Sequence, residues 1–420
     1  MIRWGTDLSR VPGVYQDSLT YLKLSSHAPY GPYSPTRPSG YPLMLRVIRV
    51  AAAGLDPVTA VQHAAGLAVG ALVYALLVRA GTRRWVATAA TAVVVLDAYA
   101  VALEQDVLAE TLFTLALTAS VYLVLRWRVT LGTVVASGLL LALAATMRTV
   151  GLFAIPVWVV YLVWTRPGRQ LVTVGIAAVA VPILLYCSLH SAAGDGFSLV
   201  DSDGWYLYAK VGPIVDCSGV TVPHRTRALC VPPPSKDTNF YLYDSASPAR
   251  RLFGAGANED VEEEMTPTTN ALLRRFCLAV ILRHPIPYVR AVATDFVHYL
   301  GPAKGQPELS LYGQPGSLIL RYERWFHTWW WIVAPAFVAG MAAALFSTGR
   351  REVCLLLAMA SALLLGAAAL SGFNIRYVVP ASPFIVAAGA IAVEMALGRR
   401  TATSGGGVAA HAPAPGPASD

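Results

Sequence analysis

The stretch Arg79–Arg128, RAGTRRWVATAATAVVVLDAYAVALEQDVLAETLFTLALTASVYLVLRWR, decides how the chain is built. It holds two apolar runs, 85–103 and 107–125. Each is close to the roughly 20 residues that a helix needs to cross a bilayer. Arginines close both outer ends of the pair, at Arg79–Arg84 and Arg126–Arg128, while the turn between the runs, LEQD, carries acid and no base. Short connections rich in arginine stay on the cytoplasmic side of a membrane. The stretch therefore reads as a hairpin of two spanning helices with an acidic outer turn.

The same rhythm runs outward in both directions. Further apolar stretches lie at 58–78, 131–149, 150–165, 171–190, 329–347, 352–371 and 377–397, and alternate connections again hold paired arginines, at Arg166–Arg169, Arg350–Arg351 and Arg399–Arg400. The expected fold is an all-α polytopic membrane protein, a bundle of about nine transmembrane helices with an extracytoplasmic loop domain. The expected division is an extracytoplasmic first loop and interfacial helix at 1–57, transmembrane parts at 58–190 and 329–397, an extracytoplasmic domain at 191–328, and a disordered, Gly/Ala/Pro-rich cytoplasmic tail at 398–420. Composition agrees. Charged residues make up 13% of the 420 and the AVILMFWYC set 55%, against roughly 25% charge in a soluble domain. That excludes a soluble cytosolic enzyme and a nucleic-acid module. The net charge of +8 belongs to cytoplasmic loops, so the lipid bilayer is a partner and nucleic acid is not.

In the first loop, residues 41–53 (YPLMLRVIRVAAA) form an apolar helix too short to span. Arg46 and Arg49 share one face, and Leu43, Val47 and Val50 another, a pattern for a helix lying in the interface. Segment 191–328 opens with Asp195, Asp201 and Asp203. It carries an acidic patch, Glu259-Asp260 and Glu262–Glu264, before a helix at about 267–283 that His284-Pro285 stops. The patch reads first as a solvated helix start and second as a cation site. Cys217 and Cys230, with twelve residues between them in the outer loop, are expected to form a disulfide worth roughly 3 kcal/mol. Cys277 reads as a core residue, and Cys187 and Cys354 as inert groups in spans. With no CxxC, HExxH or histidine cluster, no cofactor is expected and a divalent metal is not indicated.

The ionisable residues of the outer mouth suggest chemistry. Arg148 and Arg376 break the charge rule by sitting at outer membrane edges. Such arginines either meet lipid headgroups or bind a phosphate inside a cavity. Asp17, between Tyr15 and Tyr21, and Glu110, which begins an apolar helix after Asp106, are the acids best placed to join them. Glu104 reads as a solvated headgroup contact, and Asp97 as a structural acid hydrogen-bonded between helices. Carboxylates beside arginines suit sugar transfer from a lipid phosphate. A carboxylate takes the proton of an acceptor hydroxyl, and arginines stabilise the departing phosphate. The runner-up reading is a transporter or lipid-handling membrane protein without glycosyl transfer.

The motifs resemble a family. YQDSLTYL (residues 15–22) with PSGYPLML (38–45) is similar to the first outer loop and interfacial helix of the GT-C glycosyltransferases, in the branch related to dolichyl-phosphate-mannose protein mannosyltransferases and bacterial aminoarabinose transferases. VLAETLF (107–113), TMRTVGLFAIP (146–156) and FNIRYVVPASPF (373–384) resemble later motifs of that family. The resemblance implies a GT-C-like bundle in a bacterial cell membrane with an extracytoplasmic catalytic face. The donor would be a polyprenyl-phosphate-linked sugar and the acceptor a glycan, lipid or protein. Asp17 would be the catalytic base and Glu110 the second acid. Arg148, Arg376, Tyr377, Arg37 and Asp106 would bind substrate, with Arg37 standing where several relatives have lysine in a KPP-like turn. Family members also have a membrane helix before that aspartate. Together with an outer N-terminal loop that calls for a preceding span, this leads to an expectation about the gene. The in-frame DNA upstream of Met1 should encode about 20 apolar residues. Sequencing that region checks it, and a stop codon close upstream of a functional Met1 start would count against it.

Overall fold

The computed structural model of the protein describes residues 12–14, 16–26, 34–125, 129–254, 264–301, 322, 330–346 and 351–404, with side chains to 398. Several sequence expectations lie outside these residues: Tyr15, the turn-rich run at 29–33, the arginines at 126, 128 and 350, the side chains of Arg399 and Arg400, the acidic patch at 259–263 and the tail beyond 404.

The described residues are helical throughout, with no sheet, and a single isolated bridge joins Gly13 to Asp106. Two helices, α1 (Gln16–Ser26) and α2 (Gly40–Ala51), precede the bundle. The bundle begins with α3 (Asp56–Arg79), α4 (Arg84–Val95), α5 (Ala98–Gln105), α6 (Glu110–Val124), α7 (Leu131–Met147), α8 (Ala154–Thr165) and α9 (Arg169–Ala192). Helices α10 (Asp203–Val211), α11 (Thr238–Tyr243), α12 (Pro248–Phe253), α13 (Pro267–Arg283) and α14 (Pro285–Leu300) follow. The chain returns to the bundle with α15 (Trp330–Phe346), α16 (Arg351–Leu370) and α17 (Val378–Ser404). Among the described residues four helical stretches are long and apolar enough to cross a membrane: Asp56–Arg79, Arg169–Ala192, Arg351–Leu370 and Ile375–Gly398. The number rises to 6 if each of two bent pairs is one span. This is a multi-pass α-helical membrane fold.

The departures from unbroken spans have local causes. The run at 85–103 is divided between α4 and α5, with a bend of 49°. Asp97 makes the break, because its carboxylate accepts from Ala100 N–H at 2.8 Å and caps α5. It is thus a structural acid that caps a helix start. Arg148 divides 131–165: its backbone is extended (φ −148°, ψ 126°), which ends α7 and starts a short 3₁₀ turn, Thr149–Phe153. Pairs α13 and α14 meet at 102° where His284 is followed by Pro285, since proline disfavours helical backbone at the residue before it.

The two ends of the bundle differ in charge. Arg79 lies over the Tyr122 ring at 6.0 Å, Arg351 over Trp164 at 5.6 Å, and Arg83 Nε contacts Glu394 Oε1 at 3.2 Å. These contacts join helix ends in pairs, α3 with α6, α8 with α16, and the start of α4 with α17. One apolar core fills the bundle, with Tyr41, Phe113, Trp158 and Phe384 buried in it. A second, around Trp205, Tyr208, Tyr241 and Phe276, joins α10 to α13. Cys217 and Cys230, partly buried against this second core, are bonded with their Cα atoms 5.7 Å apart, and Cys277 is buried within it. On α2, Leu43, Val47 and Val50 are exposed while Tyr41, Pro42 and Leu45 are buried.

Helix α2 crosses α7 at Gly40. A Cβ there would lie 2.5 Å from the Thr146 carbonyl oxygen, whereas one at Gly132 in α7 would meet nothing within 4 Å. Gly40→Ala should therefore cost about 1–3 kcal/mol through overpacking. Gly132→Ala should be neutral or stabilising by up to about 1 kcal/mol, from helix propensity alone. Thermal unfolding of the two variants in detergent measures the contrast, and equal midpoints would contradict this packing.

Candidate active site

Five charged residues at the other end of the bundle come from four separate helix ends and one turn. Asp17 occupies the first turn of α1. Arg37 follows a turn in which Ser34 Oγ accepts from the N–H groups of Thr36 and Arg37, each at 3.2 Å. Such a side-chain bond fixes a local turn in place of regular structure. Glu110 is the first residue of α6, and Arg148 stands in the extended break after α7. Arg376 lies in the 3₁₀ turn Ile375–Tyr377 that leads into α17; the Asn374 side chain starts this turn by accepting from Arg376 N–H at 3.1 Å.

These side chains form one alternating row. Arg37 Nη2 donates to Asp17 Oδ1. Arg376 Nη1 donates to Asp17 Oδ2 at 2.8 Å, and its Nε lies 3.7 Å from Glu110 Oε1. Glu110 Oε1 is also ion-paired with Arg148 Nη1. Arg148 in turn lies over the Tyr377 ring, 5.2 Å from its centroid. Three guanidiniums thus face two carboxylates, an excess of one positive charge. Exposure separates the two acids. The Glu110 side chain is 1% exposed, whereas Asp17 is 19% and Arg376 24% exposed. Burial opposes the charge on Asp17, but Arg37 and Arg376 overcome that penalty and hold its carboxyl well below the usual carboxylate range. Burial also pushes the neighbouring Tyr21 hydroxyl up to about 12.

The row rests on a bonded floor. Gly13, four residues before Asp17, donates its N–H to the Gln105 carbonyl at 3.0 Å and accepts from Val107 N–H at 3.0 Å. Gln62 of α3 donates through Nε2 to the carbonyls of Glu104 (2.9 Å) and Asp106 (2.6 Å), and accepts at Oε1 from the Tyr41 hydroxyl (2.7 Å). Asp106 is buried in this turn and contributes its backbone carbonyl to the floor, while the ion-paired row runs through Glu110. Glu104 is not a solvated headgroup contact. It is 2% exposed, and its Oε2 lies 2.8 Å from His63 Nδ1, whose Nε2 lies 2.9 Å from Gln105 Oε1.

Sequence reading overlooked Gln62, His63 and Tyr206. The signal for the first two was present, because Gln62-His63 is a polar pair inside an apolar span. The third had none: Tyr206, whose hydroxyl accepts from Arg37 Nη1 at 3.1 Å, is an ordinary tyrosine of the outer segment, 169 positions away.

Residues 58–192 match the family described as dolichyl-phosphate-mannose-protein mannosyltransferase. The match spans about a third of the chain and includes Glu110 and Arg148, but not Asp17, Arg37 or Arg376. No curated protein and no solved structure gives a significant match.

The depressed Asp17 carboxyl has a consequence for stability. A group whose folded pKa lies below its unfolded value, about 3.9 for aspartate, stabilises the fold above that unfolded value. The contribution is lost as pH falls through the folded pKa. Asp17→Asn should therefore melt below wild type at neutral pH, with a gap that stays constant down to about pH 4 and narrows only below it. Melting curves of both proteins across that range check this. A gap that closed between pH 8 and pH 5 would assign it to another group.

Proposed function

We propose that this chain is a membrane glycosyltransferase. It moves a sugar from a polyprenyl-phosphate donor to a glycan, lipid or protein acceptor on the extracytoplasmic face of the cell membrane. The observation that carries the reading is the row Arg37–Asp17–Arg376–Glu110–Arg148, two carboxylates threaded through three guanidiniums at one end of a helical bundle. The similarity of residues 58–192 to a mannosyltransferase family supports it. The loop-charge expectation that this end lies outside also supports it, and about nine spans follow if the four shorter apolar helices and the α4–α5 pair are counted with the four long ones.

The chemistry follows from the geometry. The acceptor hydroxyl oxygen attacks the anomeric carbon, the bond from that carbon to the lipid phosphate oxygen breaks, and the hydroxyl proton passes to a carboxylate. Asp17 is the base because it is the acid that reaches solvent. Glu110 is sealed, so it orients Arg148 and Arg376 toward the leaving phosphate, whose growing charge they stabilise. At rest Asp17 is a poor base, since two guanidiniums lower its affinity for a proton. An incoming phosphate competes for Arg376 and Arg37. The donor thereby loosens the grip on Asp17 and raises its basicity when the acceptor needs it. Tyr377 braces Arg148 from the other side.

Initial rates in membranes, measured with radiolabelled polyprenyl-phosphate sugars at matched expression, test the assignment. Asp17→Asn should lose about 10²–10⁴-fold in turnover and still bind donor. Arg376→Ala should weaken donor binding as well as turnover. Arg376→Lys should recover only part of both, since a point charge cannot reproduce a guanidinium shared between two carboxylates. Near-wild-type turnover in Asp17→Asn would remove Asp17 from the mechanism. Donor binding with no transfer of any sugar tested would favour a lipid-handling or transport protein.

A further inference from the structure

A second group of polar side chains lies outside the arginine row, where α9 ends. His190 is in the last turn of that helix and is fully buried. Gly194 (φ +101°) then reverses the chain in a left-handed conformation that favours glycine. The reversal brings Asp195 and Asp201 back against the histidine. The ligand atoms of His190, Asp195 and Asp201 all lie within 4.8 Å of one another. Asp201 is 4% exposed, so this is not an acidic surface patch.

The histidine is oriented as a ligand. Its Nδ1 lies 2.8 Å from the Gly196 carbonyl oxygen, which can only accept, so Nδ1 carries the proton. In the neutral Nδ1–H tautomer the Nε2 lone pair faces the carboxylates, with Nε2 3.7 Å from Asp195 Oδ2. That separation is too long for a hydrogen bond and compatible with two ligands sharing one ion at about 2.0–2.2 Å from each. An Nδ1–H bonded to a backbone carbonyl is a common way in which proteins fix a metal-binding imidazole. Asp201 is likewise held, Oδ2 accepting from Gly196 N–H and Oδ1 from Ser198 Oγ, each at 2.9 Å. A divalent cation would neutralise two carboxylates converging on one buried imidazole.

We propose that His190, Asp195 and Asp201 bind one divalent cation of the zinc type. An imidazole with two carboxylates suits Zn²⁺ better than Mg²⁺ or Ca²⁺, which take oxygen ligands. Its role is structural. Asp201 N–H donates to the Pro35 carbonyl at 2.8 Å. Tyr186, stacked on His190 with ring centroids 6.0 Å apart, accepts at its hydroxyl from Ser39 N–H at 3.1 Å. Pro35 and Ser39 flank Arg37, so the ion fixes the two attachments of the turn that presents Arg37. No step of the sugar transfer passes through it, and the site stands or falls independently of that reaction.

The test uses the purified full chain in detergent, stripped with chelator and then exchanged into a molar excess of Zn²⁺ over protein. Elemental analysis after removal of free metal should find about one zinc per chain, and zinc should raise the melting temperature. Co²⁺ in its place should give the visible absorption of a low-coordinate site. Asp195→Asn changes a partly exposed carboxylate and leaves the packing of His190 alone. Without metal it should melt like the stripped wild type, while its zinc affinity falls about 10-fold or more. His190→Ala should abolish binding. A wild-type chain that retains no zinc, or zinc retained equally by Asp195→Asn and Asp201→Asn, would overturn the proposal.

Discussion

Arg376 is the joint on which this charged end of the bundle depends. Its guanidinium touches Asp17 from the first loop and Glu110 from the start of α6. Those acids in turn hold Arg37 and Arg148. Charges taken out of water are costly unless they are paired, so none of the five is tolerable at this place without its neighbours. That condition pulls together helix ends that are far apart in the chain, including two separated by 359 positions. The broken geometry nearby serves the same end. Arg148 leaves its helix in an extended conformation, and Asn374 opens a 3₁₀ turn so that Arg376 is presented at the head of α17.

Within the row, charge and exposure point to different work for the two acids. Glu110 is sealed, and its value lies in aiming two guanidiniums from one point. Asp17 reaches the opening but is held too acidic to accept a proton readily. An anion that draws off one of its arginines changes it from an ion-pair partner into a base. The single excess positive charge favours such an anion, and a lipid phosphate in the act of leaving a sugar is an anion whose charge grows. On the proposed function, binding and activation are the same electrostatic event, and the arrangement suits transfer from a phosphate carrier better than transport of an uncharged solute.

Much of this was readable from the chain because membrane insertion writes its rules in short range. Paired arginines marked alternate helix ends, and the contacts of Arg79, Arg83 and Arg351 join such ends in pairs. The same rule made Arg148 and Arg376 conspicuous by breaking it. Partners are a different kind of information. That Arg376 meets both acids, or that Glu104 turns inward to His63, depends on how helices rotate about their axes, and apolar spans with little amphipathic contrast do not encode rotation. Asp97 is information of the local kind. Its carboxylate satisfies an N–H three residues ahead, and a local cap needs no second helix. The shortness of α6 and α7 was hidden too, since hydropathy marks how far a run is apolar and not where a turn bends the backbone out of helix.

Arg37 shows how a small change of side chain couples two parts of the structure. The family resemblance implies that lysine can stand in a comparable turn. Here the guanidinium divides its nitrogens: Nη2 serves Asp17, while Nη1 reaches the Tyr206 hydroxyl at 3.1 Å and the Thr36 carbonyl at 3.3 Å. An ammonium would offer a single nitrogen to these three acceptors. The planar fork instead fixes the distance between Asp17 and Tyr206, and Tyr206 lies on α10, whose packing against α13 makes the second core. Lysine in this turn could balance the charge of Asp17, but only arginine also ties the acid to the second core. The ordering of that core and the electrostatics of the candidate base thus become one problem, solved by one side chain.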